Sequence, residues 1–268
     1  MDKVATFRDF IKVREYITLK YDYYARLGRF KDLSPEEKIE HDACWKLIKE
    51  LKGFMDNVEE NFKAFGHDTL LLKQRETITK TRFVDSNSKY QLLRLDETPK
   101  VTRITSPEVQ MALMHMNPDA LVISDYDKGY INSEDLLTLC NHFNRPVFVD
   151  TKKKRLFQKD NVYWKINKKE YDSLDKDYLP DDTHLIVTLG SKGVSYSGIV
   201  YNSEKVPCFD VCGAGDTFMT SLVHRFLETE GDIIKSIDFA NRCAAISVQY
   251  PGAYHLNNEE IERVYARL

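Results

Sequence analysis

Apolar positions repeat at helical spacing through the first quarter of the chain. Residues 34–66 form one such pattern, opened by a capping box between Ser34 and Glu37 with Pro35 in the first helical position. Residues 7–27 form a second helical pattern that is richer in tyrosine. Residues 1–66 are therefore predicted to be a packed pair of helices with a solvated outer face.

The pattern changes to that of β-strands from about residue 77. Residues 77–84 and 90–95 flank the turn residues 85–88 and predict a β-hairpin. Helix-length segments then separate four apolar runs, at 120–124, 146–150, 162–167 and 184–189. This alternation predicts an α/β fold with a mainly parallel sheet and helices on its faces.

Each of the four apolar runs ends in polar side chains. These are Ser124 and Asp125, Asp150 and Lys152, Asn167, and Thr188. Ligands of open α/β sheets bind at the carboxyl ends of the strands. Four such endings predict a binding site at this edge of the sheet.

A run of small residues, Gly213 to Gly215, precedes a further apolar segment at 218–226. If that segment is a helix, the backbone N–H groups of the run converge at its N-terminus and form an anion cradle. A carboxylate at such a cradle repels phosphate, so Asp216 is best explained as a base that deprotonates an attacking hydroxyl. The alternative is an ordinary helix start, with Asp216 interacting with the helix dipole.

Composition describes an ordinary globular protein of 268 residues, with 42% hydrophobic residues and a formal net charge of −3. This net charge gives no indication of a positively charged surface that would bind nucleic acid or an anionic membrane. The five cysteines are odd in number and mostly lie in apolar segments, which suits reduced thiols. Neither an apolar leader nor a membrane-spanning run is apparent, so we expect a cytoplasmic protein.

Three motifs together resemble the ribokinase or phosphofructokinase-B (PfkB) sugar kinases. They are DVCGAGDT at 210–217, N-x-x-E at 167–170 and VTLGSKG at 187–193. Segments 77–80, 91–96 and 124–129 are most similar to the heptose-phosphate kinase branch of lipopolysaccharide-precursor synthesis. The resemblance covers roughly residues 68–268. It implies a ribokinase-like kinase domain at 67–268, preceded by an atypical helical region at 1–66.

The resemblance implies roles for the residues of the cradle and of the N-x-x-E motif. Asp216 would be the general base, and the amides of Gly213, Ala214 and Gly215 would form the hole for the transferring phosphoryl group. Asn167 and Glu170 would organise Mg²⁺ around the phosphates of ATP, which suits a hard cation that prefers oxygen ligands. The alternative for these two residues is a helix N-cap and its capping-box partner.

Other residues are assigned through the same resemblance. Those expected on the nucleotide side are Thr188, Gly190, Gly193, Asn241 and Gly252. Lys128 and Lys152 are expected to neutralise phosphate charge, and Asp125 to orient Lys128 or the acceptor. The alternatives are a turn between strands at 188–193, a water-facing Asn241 and a solvated basic run at 152–155.

Residues 1–66 depart from the family, because they contain no adjacent glycines and no clear opening strand for the acceptor. Two functions therefore stay open. One is an ATP-dependent kinase for a sugar or sugar phosphate, and the other is a nucleotide-binding or scaffold protein derived from such a kinase. Homodimerisation through the hairpin, or a partner protein on the N-terminal helices, is a further expectation.

Overall fold

The computed structural model describes residues 79–84, 91–97, 101, 103 and 117–268. The helices predicted at 7–27 and 34–66 lie outside these residues. The chain divides at residue 100 into two units. The described part of the first is a hairpin, and the described part of the second is an α/β sheet.

The hairpin consists of β1 (Thr79–Val84) and β2 (Gln91–Glu97). The two strands are antiparallel, with Thr79 opposite Glu97 and a register irregularity between Phe83 and Val84. The predicted hairpin is confirmed, and its second strand extends two residues beyond the predicted end.

The second unit contains a six-stranded sheet in the order β3-β4-β5-β6-β7-β8. Parallel pairing joins its first four strands, and antiparallel pairing adds the last two. The strands are β3 (Leu121–Asp125), β4 (Val147–Thr151), β5 (Val162–Asn167), β6 (Leu185–Thr188), β7 (Val194–Tyr196) and β8 (Ile199–Tyr201). The four predicted apolar runs are the four parallel strands, so the predicted mainly parallel sheet is confirmed.

Helices cover both faces of this sheet. The α-helices are α1 (Ser133–His142), α2 (Lys168–Asp172), α3 (Ala214–Glu228), α4 (Ile233–Ser247) and α5 (Asn258–Tyr265). Short 3₁₀ turns lie at Lys176–Tyr178, Asp182–His184 and Gly190–Lys192. No helix within these described ranges is long and apolar enough to cross a bilayer.

The two hydrophobic cores follow from the alternation of side chains along the strands. In β4, Val147 and Val149 pack in the core that includes Leu136 of α1, while Phe148 packs in the core of α3 and α4. All three β4 side chains are fully buried. A strand covered on both faces needs apolar residues at every position, which explains the unbroken apolar runs in the sequence. The carboxyl ends of the strands are the part of the sheet where polar side chains gather.

Candidate active site

A pocket of ≈ 140 Å³ lies at the carboxyl ends of β3, β4 and β5, beside the first turn of α3. Its lining is almost entirely polar. The lining residues are Ser124, Asp125, Tyr126, Asp150, Lys152, Lys165, Asn167, Glu170, Gly215 and Asp216. The structure thus brings together eight residues predicted from the sequence: Ser124, Asp125, Asp150, Lys152, Asn167, Glu170, Gly215 and Asp216.

The start of α3 depends on a left-handed glycine. Gly213 is the N-cap of α3 and has a φ of 79°, and a β-carbon there would lie 3.0 Å from Ala253. The amide of Ala214 donates to the carbonyl of Val211 at 3.2 Å. Gly215 and Asp216 lie in the first turn, where backbone N–H groups have no acceptor within the helix. These two amides are placed to receive an anion, with the exposed Asp216 carboxylate beside them.

Asp210 ties the cradle to a neighbouring loop. Its Oδ1 accepts a hydrogen bond from the amide of Cys212, and its Oδ2 accepts one from the amide of Gly252, both at 2.9 Å. Gly252 has a φ of 75°, which glycine adopts without a steric penalty. The predicted nucleotide-site residue Gly252 therefore contacts the cradle through Asp210 and does not line the pocket.

Lys165 is a pocket residue that the sequence reasoning missed. It is buried in β5, and its Nζ donates to Oδ2 of Asp150 in β4 at 2.6 Å. Its Nζ also lies 2.9 Å from the position that a β-carbon on Gly215 would occupy. The sequence did contain a signal for this residue, because Lys165 is a charged residue within an apolar strand. It precedes Asn167 by two positions and so lies on the same face of the strand. The ammonium places a positive charge against the first turn of α3.

Asn167 and Glu170 form the N-terminal capping box of α2. The Asn167 side chain accepts from the Glu170 amide, and Glu170 Oε2 accepts from the Asn167 amide, both at 2.9 Å. Glu170 Oε1 also accepts from Lys152 Nζ at 2.8 Å. Burial acts to raise the pKa of Glu170, but the bonds from the Asn167 amide and from Lys152 outweigh it and lower that pKa. Glu170 is held as a carboxylate on the pocket wall.

The two lysines predicted to neutralise phosphate charge lie in different places, one in the pocket and one outside it. Lys152 lines the pocket, and its side chain is 48% exposed. Its hydrogen bond to Glu170 is the main cause of its raised pKa. Lys128 is exposed and is not among the lining residues.

Asp125 is buried and contacts Lys153, with 3.1 Å between its Oδ2 and Lys153 Nζ. Lys153 itself is buried, so the run 152–155 is not a uniformly solvated face.

The residues predicted for the nucleotide lie outside the pocket lining. Thr188 pairs with Asn167 across β5 and β6, and Gly190 begins the 3₁₀ turn between the antiparallel β6 and β7. Gly193 has a φ of 90°, and a β-carbon on this residue would lie 2.0 Å from the carbonyl oxygen of Tyr201. Asn241 is buried and donates to that same carbonyl at 3.2 Å, so it does not face water. These contacts are structural, and a nucleotide role stays a prediction.

The donor set of the pocket suits magnesium bound through waters and phosphates. Within the described ranges, no group of three or more His, Cys, Asp or Glu side chains is placed to hold a metal. The carboxylate of Glu170 and the amide oxygen of Asn167 nevertheless line the pocket. Mg²⁺ usually keeps several waters and binds through one or two carboxylates together with substrate phosphates. Asn167 and Glu170 fit that mode of binding.

Comparison with known proteins agrees with the motifs. Residues 170–260 match the family model described as pfkB family carbohydrate kinase. A bifunctional protein HldE from Nitratiruptor sp. is 29% identical over 235 residues, which cover 76% of this chain and 49% of that protein. The chain thus spans about half the length of the curated relatives that it matches.

Two crystal structures have the same fold as this chain. Ribokinase from Thermotoga maritima superposes with a TM-score of 0.59 at 21% identity, covering 80% of this chain and 77% of the ribokinase. Phosphofructokinase-2 from Escherichia coli superposes with a TM-score of 0.59 at 14% identity, covering 79% and 78%. The fold is ribokinase-like, and the resemblance to the PfkB sugar kinases is confirmed.

Proposed function

We propose that this protein, a chain of the PfkB carbohydrate kinase type, transfers the γ-phosphoryl group of ATP to a hydroxyl of a sugar or sugar phosphate. The observation that carries the proposal is the pocket itself. It combines Asp216 and Gly215 at a helix N-terminus with two lysines, Lys152 and Lys165. A base, an anion cradle and positive charge at one place are the parts that phosphoryl transfer needs.

Charge distribution supports a phosphate at the start of α3. The Lys165 ammonium approaches Gly215 from β5, and the first-turn amides approach from the helix. Helix N-termini favour anions because their N–H groups point outward and the helix dipole is positive there. Asp150 holds Lys165 in place at 2.6 Å. The first-turn amides and the Lys165 ammonium would therefore bind the same phosphate group.

In the proposed reaction, Asp216 accepts the proton of the acceptor hydroxyl. The acceptor oxygen then forms a bond to the γ-phosphorus while the bond between that phosphorus and the β,γ-bridging oxygen breaks, and ADP leaves. Negative charge spreads over the transferring oxygens, where the amides of Gly215 and Asp216 and the Lys165 ammonium stabilise it. Positioning of the two substrates supplies most of the rate enhancement.

Magnesium, when bound with the nucleotide, would neutralise part of the phosphate charge. Asn167 and Glu170 would hold its waters. Because Lys152 donates to Glu170 at 2.8 Å, this lysine and the cation would share one carboxylate. We propose that Thr188, Gly190, Gly193, Asn241 and Gly252 shape the nucleotide side of the site, in keeping with the motif at 187–193.

The acceptor that we propose is a heptose phosphate or a sugar phosphate of similar size. Support comes from the segments that resemble the heptose-phosphate kinases and from the HldE proteins among the curated relatives.

A nucleotide-binding or scaffold protein is the second candidate. The observation that favours it is in the sequence, since residues 1–66 lack the adjacent glycines with which sugar kinases of this type hold the acceptor. The two candidates agree on ATP binding and differ on turnover.

Measurement of ADP formation from Mg²⁺-ATP separates these candidates. The acceptors would be hexoses, heptoses and their phosphates, with water alone as the blank and with calorimetric titration of ATP alongside. A kinase produces ADP only with a particular acceptor. ATP binding with no acceptor-dependent ADP would contradict the kinase and support the scaffold.

A further inference from the structure

The buried ammonium of Lys153 has no role in the reaction proposed above. Its side chain is only 7% exposed. Its Nζ donates to Asp127 Oδ1 at 2.7 Å and to the carbonyl of Ile131 at 2.8 Å, and lies 3.1 Å from Asp125 Oδ2. A lysine ammonium has three N–H donors. All three partners belong to one short segment, residues 125–131, which begins at the last residue of β3.

The same segment is held at its start by β4. Thr151 Oγ1 donates to Asp125 Oδ2 at 3.0 Å, and Asp125 Oδ1 accepts from the amide of Asp127 at 2.9 Å. Asp127 has a φ of 51°, a left-handed conformation that is unfavourable for a residue other than glycine. The contacts from Lys153 and Asp125 keep Asp127 in that conformation.

Tyr126 lies between these two aspartates and lines the pocket. Its ring centroid is 5.3 Å from Lys152 Nζ. The negative charge of Asp216 is the main cause of the raised pKa of Tyr126, followed by burial and by Asp150. Tyr126 and the proposed base Asp216 line the same pocket.

We propose that Lys153 is a positioning residue that holds Tyr126 as the acceptor-side wall of the pocket, beside Asp216. This inference rests on the proposed kinase function. A tyrosine ring has an apolar face and a polar tip, so it suits a sugar, which has a C–H face and hydroxyl edges. Lys153 touches neither substrate. It acts by fixing the backbone on either side of Tyr126.

A purely structural role for Lys153 would have different consequences. Loss of a buried ion-paired lysine destabilises a fold and affects both substrates alike. Loss of a positioning contact raises the KM of the acceptor and leaves the KM of ATP nearly unchanged, because the cradle lies on α3 and Lys152 is held separately by Glu170 of α2. The distinction is measurable as a difference between the two KM values.

The first test needs no turnover and uses tyrosine labelled at its ζ carbon for NMR. Tyr126→Phe identifies the Tyr126 signal by its disappearance. Asp216→Asn is expected to shift that signal, because the nearby charge is lost. In a Lys153→Met background the same Asp216→Asn change is expected to shift it much less. Lys154→Met, at an exposed neighbouring position, is the matched control and is expected to leave the response unchanged.

The second test is kinetic, with heptose phosphate as the acceptor. Lys153→Met is expected to raise the acceptor KM by about tenfold, with the KM of ATP changed less than about twofold. In a Tyr126→Ala background, Lys153→Met is expected to have no further effect on the acceptor KM, because the two substitutions remove the same wall.

Asp127→Gly is the reserve variant if Lys153→Met does not fold. Glycine adopts the left-handed φ freely, so the fold is kept while one acceptor of the ammonium is lost. An unchanged NMR response to Asp216→Asn in either variant, or an equal rise of both KM values, would overturn the positioning role. A wild-type protein with no acceptor-dependent ADP would contradict the kinase proposal alone, since the NMR result is obtained independently of turnover.

Discussion

Lys165 Nζ lies 2.9 Å from the point that a β-carbon on Gly215 would occupy. Because the lysine is buried and paired with Asp150 at 2.6 Å, its ammonium cannot move away without breaking an ion pair. Glycine at position 215 is thus what allows a positive charge to approach the first turn of α3. Three elements, β4, β5 and α3, build the proposed phosphoryl site through this one contact.

Substitution Gly215→Ala tests that contact. The new methyl would displace the Lys165 ammonium and strain its ion pair with Asp150, so we expect turnover to fall by at least about tenfold and stability to fall with it. Gly193→Ala is the contrasting control. Its β-carbon would meet the Tyr201 carbonyl at 2.0 Å with a φ of 90°, so it should destabilise the fold by about 1–3 kcal/mol. Urea unfolding and ADP release would be measured on both, and unchanged turnover of Gly215→Ala would refute this account.

The buried pair of Lys165 and Asp150 predicts an asymmetry. Asp150→Ala leaves a buried ammonium unpaired, so we expect a loss of roughly 3 kcal/mol in the free energy of unfolding. Lys165→Met keeps most of the side-chain volume and removes the buried charge, so its loss should be smaller. Yet Lys165→Met should lose more turnover, because the charge facing the phosphoryl group is gone. Denaturant titration compares the stability of the two variants, and steady-state kinetics compares their turnover. Equal losses of stability would contradict the predicted asymmetry.

The two predicted phosphate lysines should behave differently. Lys152 lines the pocket and donates to Glu170, whereas Lys128 is exposed outside the lining. We expect Lys152→Met to raise the KM of Mg²⁺-ATP several-fold and Lys128→Met to change it little. An effect of Lys128→Met equal to that of Lys152→Met would show that the pocket extends over the 126–130 turn.

Acid should remove the contribution of Asp135 to stability. Arg103 donates to both its carboxylate oxygens, at 2.6 and 2.7 Å, and this contact is the main cause of the lowered pKa of Asp135. The stabilisation is therefore complete above the unfolded-state value, near 3.8, and is lost as the pH falls through the native pKa. Compared with Asp135→Asn, the wild-type protein should be more stable near pH 7 and not more stable at low pH. A difference independent of pH would contradict the ion pair.

Much of the second unit could be predicted from hydrophobic periodicity. Three of its parallel strands, β4, β5 and β6, appear as apolar runs because their burial is nearly continuous. The hairpin, which belongs to the first unit, was predicted from strand patterns on either side of turn residues. The strands β7 and β8 were missed, since three residues carry too little pattern. Buried Lys153 and Lys165 were also missed. A lysine is buried only when partners from other segments surround it. The order of the strands brings Asp150 beside Lys165, and that order cannot be predicted from the local spacing of residues.

The same limit applies to residues with two roles. The sequence predicted that Asn167 and Glu170 either cap a helix or organise magnesium, and the structure contains the capping box. Because the box directs these side chains to the pocket, capping and cation binding are compatible here. Local spacing identifies the residues, and only the assembled sheet shows that the capping box lies at the pocket.

The catalytic role of Asp216 is the central claim, and one comparison tests it most directly. Acceptor-dependent ADP release would be measured for wild type and for Asp216→Asn, with ATP affinity measured on the same samples. Loss of the base should lower kcat by at least about 100-fold, while the ATP dissociation constant stays within about threefold. A variant that keeps its rate, or that loses ATP binding together with its rate, would contradict the assignment of Asp216 as the general base.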